Sequence, residues 1–113
     1  MFEDLKSKTA LVTGAYSGLG RHFALRLAEA GARVALCGRR TELGETLATE
    51  IRAQGGQACV AAMDVTQPDS VQAAFAQAEQ ALGPIDIVIN NAGIAMTRPA
   101  LEISEDEWTG LIN

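Results

Sequence analysis

The chain has 113 residues, with nine Lys and Arg against 14 Asp and Glu, a net charge of −5, and 48% hydrophobic and 20% charged residues. That length suits one domain burying roughly 65% of its unfolded surface, and a disordered chain would be more polar and more charged. The acidic balance counts against a nucleic-acid binder. The longest stretch without a charged side chain, Thr9 to Gly20, has 12 residues, short of the about 20 that a membrane span requires.

Met1 to Lys6 mixes acids and bases and lacks the basic-then-apolar layout of a signal peptide. The expected compartment is cytoplasmic, with Cys37 and Cys59 as reduced thiols. Their spacing does not suit a metal, and no other cluster does.

Four apolar runs predict strands: Thr9 to Thr13, Arg33 to Cys37, Ala58 to Ala62 and Ile85 to Asn90. They are rich in β-branched residues and mostly lack polar alternation, as strands buried on both faces of a parallel sheet do. They recur about every 25 residues, the spacing expected when a helix intervenes. Between them, Gly20 to Ala30 predicts a helix with Phe23, Leu27 and Ala30 on one face, stopped by Gly31. Thr41 to Gln54 predicts a second, with Leu43, Leu47 and Ile51 repeating, ended by Gly55 and Gly56. Pro68 to Leu82 predicts a third, with a stripe of Val71, Phe75, Ala78 and Leu82. A capping box of Thr66 and Asp69 would start it, and Gly83 and Pro84 would stop it. Ser104 and Glu107 suggest another capping box, with a fourth helix from near Glu105. The alternation predicts an α/β fold, a doubly wound parallel sheet with right-handed crossovers, in a single domain over residues 1–113.

Thr13 to Gly20 joins the first strand to the first helix, with glycines at 14, 18 and 20. Phosphate binding at such a turn needs a tight bend, backbone N–H groups and no Cβ in the way, above a helix N-terminus. The spacing is G-x-x-x-G-x-G, and a merely structural βα turn is the alternative. In dinucleotide folds the end of the second strand meets the adenosine ribose, where an acid favours a free 2′-hydroxyl. Here it reads Gly38, Arg39, Arg40. Guanidinium groups suit a 2′-phosphate, so NADP(H) is preferred, with Arg39 as the main contact, and NAD(H) remains possible. Two solvated arginines at a helix start are the alternative.

With these residues in place, the chain resembles the short-chain dehydrogenases/reductases along essentially its whole length. Thr13 to Gly20 matches that family's T-G-x-x-x-G-x-G turn, Asn90 to Gly93 its N-N-A-G motif, and Asp64-Val65 a pair that usually meets the adenine. The nearest branch is that of the 3-oxoacyl-acyl-carrier-protein reductases, and sugar-alcohol and secondary-alcohol dehydrogenases share the motifs. The resemblance implies a Rossmann fold and these roles. Gly14, Ala15, Tyr16, Ser17 and Leu19 would wrap the pyrophosphate and adjoining ribose, and Gly18 and Gly20 would let helix and cofactor approach. Arg39 would hold the 2′-phosphate. Asp64 would accept from the adenine amino group, with Val65 beside the ring; a helix cap is the alternative for Asp64. Asn91, Ala92 and Gly93 would line the nicotinamide-side ribose, while Asn90 braces the fourth strand.

The resemblance also implies catalysis by a Ser and a Tyr-x-x-x-Lys pair, which these 113 residues lack. The one tyrosine is Tyr16, and the lysines are Lys6 and Lys8. The family's catalytic Asn would fall past Asn113, so no catalytic residue is assigned. The expectation is the cofactor part of a longer reductase, incomplete at its C-terminus, with the fourth strand at a bare sheet edge. By itself the chain would be inactive. The complete protein would act on a carbonyl or alcohol substrate as a homo-oligomer, with no nucleic-acid or membrane partner. Two other readings stand beside it: a catalytically inactive dinucleotide-binding module, and a structural protein with a degenerate turn.

Overall fold

A computed structural model describes residues 5–16 and 18–90, and 101–103 by their backbone alone. The strands are β1 (Thr9–Thr13), β2 (Arg33–Gly38), β3 (Gln57–Ala62), β4 (Ile87–Asn90) and β5 (Leu101–Ile103). The helices are α1 (Gly18–Glu29), α2 (Thr41–Ala53) and α3 (Pro68–Leu82). All pairings are parallel, in the order β3-β2-β1-β4-β5. The order reverses between β1 and β4, where Thr13 stands level with Asn90. A doubly wound sheet places its ligand crevice at such a reversal, beyond the strands' carboxyl ends.

The apolar runs become strands because both faces are covered. Alternate residues of β1 point opposite ways. Ala10 and Val12 join Val34, Leu36, Ile87 and Ile89 beneath Phe23 and Leu27 of α1 and Leu47 and Ile51 of α2. Leu11 joins Ala35, Cys37 and Val88 beneath Ala74, Phe75 and Ala78 of α3. Every residue of β1 is buried, which is why its sequence shows no polar alternation. Each large side chain so buried contributes about 1.5–3 kcal/mol. Gly31, Gly55 and Gly83, at φ 99°, 89° and 95°, follow the three helices where the sequence places their stops.

Several expectations change. Leu43 is exposed, and the buried face of α2 is Gly44, Leu47, Ala48 and Ile51, because Gly44 packs on an aromatic ring described below. On α1 the buried face includes Ala24, and Ala30 lies past the helix end. The Thr66–Asp69 capping box does not form. Gln67 is the N-cap without a side-chain cap bond, and Pro68 opens the helix with φ pre-set. Thr66 turns instead to Asp64. β4 starts at Ile87, since the Asp86 carboxylate takes the Thr9 amide where a strand carbonyl would.

The fourth strand is not at a bare edge, because β5 pairs beyond it, Ile87 with Leu101 and Ile89 with Ile103. Strand β5 was not expected from the sequence, although Leu101 and Ile103 flank Glu102 with a strand's period of two. The helix expected from near Glu105 and its Ser104–Glu107 box lie outside the described residues, as do Ser17, Asn91, Ala92 and Gly93.

Candidate cofactor site

Gly14, Tyr16, Gly18, Leu19, Gly20, Arg39, Asp64 and Val65 all follow the C-terminal ends of β1, β2 and β3 or open α1, so the fold gathers them along one edge of the sheet. Gly14 is exposed, with φ 62°, and Gly18 is exposed, with φ 59°. Both conformations are the left-handed kind that L side chains rarely adopt. Among the described residues, no atom other than its own chain neighbours and helix backbone lies within 4 Å of where a Cβ of Gly18 would stand, so the backbone angle is what requires glycine there.

The first turn of α1 carries no acidic residue, whereas α2 has Glu42 and α3 has Asp69 in theirs. The positive end of the α1 dipole is therefore not offset by a carboxylate of its own first turn. That arrangement fits a diphosphate. Leu19 is 40% exposed beside it, and Gly20 is buried against the body of the domain.

Ala15 and the side chain of Tyr16 turn toward the body of the domain. Ala15 is wholly buried and its N–H donates to the Cys37 carbonyl at 3.2 Å, so this amide braces β2. The half-buried Tyr16 side chain turns back over the sheet. Its hydroxyl lies 3.3 Å from the Leu36 and Gly38 carbonyls and 3.2 Å from that of Ala61, one proton shared among three acceptors. Burial, with Cys37 and Glu45 nearby, raises the phenol well above its ordinary pKa. Only the backbone of Tyr16 is left to face a phosphate. The sequence reading missed this anchoring; its signal is an aromatic inside the turn together with glycines at 38 and 44.

Arg39 and Arg40 are both exposed at the end of β2. Arg40 Nε pairs with Glu42 Oε1 at 3.3 Å, a solvent-exposed pair of small energetic weight. Arg39 acts on Asp64. The Thr66 hydroxyl and amide donate to Asp64 Oδ1 at 2.6 and 3.0 Å, and with the Arg39 charge they hold its carboxyl below the usual range. Asp64 does not cap α3; its own amide donates to Ser70 Oγ at 2.8 Å. The Met63 amide donates to the Gly38 carbonyl at 2.9 Å and holds the ends of β2 and β3 together. Val65 is half-buried against the α3 face. Across the reversal, Thr13 Oγ1 donates to Asn90 Oδ1 at 3.3 Å, so Asn90 does brace β4.

Cys37 and Cys59 are free thiols on adjacent strands, and burial pushes the Cys37 thiol far up. Among the described residues no cluster of His, Cys, Asp and Glu could hold a metal, and no helix is long and apolar enough to cross a membrane. A cleft of about 390 Å³ between Lys6, Glu29, Gln54 and Gln57 lies at the opposite, N-terminal edge of the sheet, away from the motif residues.

Comparison with known proteins agrees with this geometry. A family model described as short chain dehydrogenase matches residues 8–113. The chain is 42% identical over 109 residues to the gluconate 5-dehydrogenase of Gluconobacter oxydans (strain 621H), covering 96% of this chain and 43% of that protein. A crystal structure of a short-chain type dehydrogenase/reductase from Mycobacterium marinum superposes with a TM-score of 0.77 at 44% identity, over 86% of this chain and 39% of that one. A 7α-hydroxysteroid dehydrogenase in complex with NADH and 7-oxo glycochenodeoxycholic acid superposes with a TM-score of 0.76 at 34% identity, over 79% of this chain and 35% of that one. The chain spans less than half the length of the curated relatives it matches, 43% of the Gluconobacter protein among them.

Proposed function

The chain belongs to the short chain dehydrogenase family, and from that premise we propose that it forms the NADP(H)-binding part of an oxidoreductase. The complete protein would move hydride between the nicotinamide and a ketone, alcohol or 3-oxoacyl substrate. The observation that carries the cofactor choice is Arg39, exposed at the end of β2 where the strand itself ends in glycine. A guanidinium there offers a 2′-phosphate paired, charge-assisted hydrogen bonds.

Gly14, Ser17, Gly18, Leu19, Gly20 and the backbone of Tyr16 would hold the pyrophosphate at the start of α1, with Ala15 bracing the turn from beneath. Asp64 and Val65 would meet the adenine, and Asn91, Ala92 and Gly93 the nicotinamide-side ribose. When bound, the cofactor supplies the hydride donor or acceptor. The proton-transferring Ser and Tyr-x-x-x-Lys belong, on this reading, to sequence outside these 113 residues. The same reading makes the complete protein a cytoplasmic homo-oligomer.

The test is to titrate NADPH and NADH into the protein before and after Arg39→Asp. The wild type should favour NADPH and the variant should lose that preference; unchanged discrimination sinks the assignment. The catalytically inactive dinucleotide-binding module stands as the second reading. Ketone reduction by the complete protein would dispose of it.

A further inference from the structure

The Tyr16 ring is wedged between two glycines that bracket the turn from β2 to α2. A Cβ at Gly38 would stand 2.8 Å from Cε2, 2.9 Å from Cδ2 and 3.2 Å from Cζ of the ring. A Cβ at Gly44 would stand 2.6 Å from Cε1 and 2.8 Å from Cζ. The ring cannot swing away cheaply, because its hydroxyl is held among the Leu36, Gly38 and Ala61 carbonyls. One side chain thus links the glycine turn, the ends of β2 and β3, and the first turns of α2. Arg39 sits on the segment pinned at both ends by that ring.

Position 38 ends β2, the place where a dinucleotide fold sets the residue that meets the adenosine ribose. We infer that Tyr16 is a specificity-determining residue. Its ring fills the space a side chain at position 38 would need, so the end of β2 meets the ribose with backbone alone and the choice of nucleotide passes to Arg39. The inference rests on the cofactor reading above and adds a coupling to it. An acidic residue at 38, which would favour a free 2′-hydroxyl, cannot be accommodated until the ring is removed.

The test is a double-mutant comparison in the complete protein, with NADPH and NADH titrations and thermal unfolding of each variant. Gly38→Asp alone should lower the Tm and gain no affinity for NADH. Gly38→Asp combined with Tyr16→Ser should recover part of that Tm and bind NADH about tenfold or more tighter than the wild type does. Gly38→Ala supplies the steric half of the test. It should cost much less in Tm when Tyr16 is Ser than when Tyr16 is present. A Gly38→Asp protein that gains NADH affinity with an unchanged Tm overturns the inference alone, as does an additive Gly38→Ala cycle. A folded wild type that binds neither nucleotide overturns the cofactor reading, and the inference with it.

Discussion

At its N-terminal end β1 is tied by side chains from three directions. The Thr9 amide donates to Asp86 Oδ2 at 2.9 Å, Thr9 Oγ1 donates to the Leu82 carbonyl at 3.2 Å, and Arg33 Nε donates to Thr9 Oγ1 at 3.1 Å. At its C-terminal end the chain leaves through exposed Gly14 at positive φ into a helix whose first turn has no acid. There Thr13 Oγ1 ties β1 to Asn90 of β4, and Tyr16 braces the neighbouring strands β2 and β3. The difference separates stability from binding within one strand. The lower end closes its polar groups with charged side chains, while at the upper end the first turn of α1 holds no acid of its own.

Mutation can break that separation. The largest expected effect on stability is at the lower end. Asp86→Leu leaves the buried Thr9 amide without its charged acceptor and should cost about 2–3 kcal/mol, with NADPH affinity unchanged. Urea unfolding and a nucleotide titration read the two quantities, and a parallel loss of both would mean the ends are not independent. Gly18→Ala at the upper end should cost less stability, about 1–2 kcal/mol, because φ 59° opposes a Cβ although the space is open. It should weaken NADPH binding about tenfold or more. Wild-type affinity in that variant would remove the glycine turn from the site.

A third prediction sharpens the account of the upper end through pH. Cys37 and Tyr16 are both held protonated by burial, above their ordinary values of 9.0 and 10.0. The unfolded chain ionises first, so above those values it binds fewer protons than the folded chain, and stability falls as pH rises past 9 and then 10. Each group contributes a slope of at most about 1.4 kcal/mol per pH unit, and half-exposed Tyr16 less. Denaturant melts from pH 8 to 11 should show the decline, and Tyr16→Phe should flatten its later part. An identical profile in that variant would mean that the phenol is solvated.

Much of this was legible because the relevant signals are local. Apolar runs such as Thr9–Thr13, breaks such as Gly31 and Gly83, and the glycine spacing from 14 to 20 state backbone needs that neighbouring residues already settle. The α/β alternation, the parallel sheet and the edge that gathers Gly14, Arg39 and Asp64 follow from those needs and from the handedness of crossovers. Where a residue's role depends on what lies across the fold, the same reading failed. Leu43 looked like the start of a buried stripe, but the stripe is shifted onto Gly44 by a ring 28 positions earlier in the chain. Thr66 looked like a cap for α3, but its hydrogen bonds go to Asp64. The Tyr16 hydroxyl is drawn to carbonyls of β2 and β3, a contact that nothing near it in the sequence announced. The sequence alone determined β1 to β4, the helices between them, their order and the glycine turn, because short-range sterics and hydrophobic period act within a few residues. Only the tertiary structure decided that Tyr16, Gly38 and Gly44 form one contact, because strand pairing brings together residues 22 and 28 positions apart and packing admits a single occupant in the space between them.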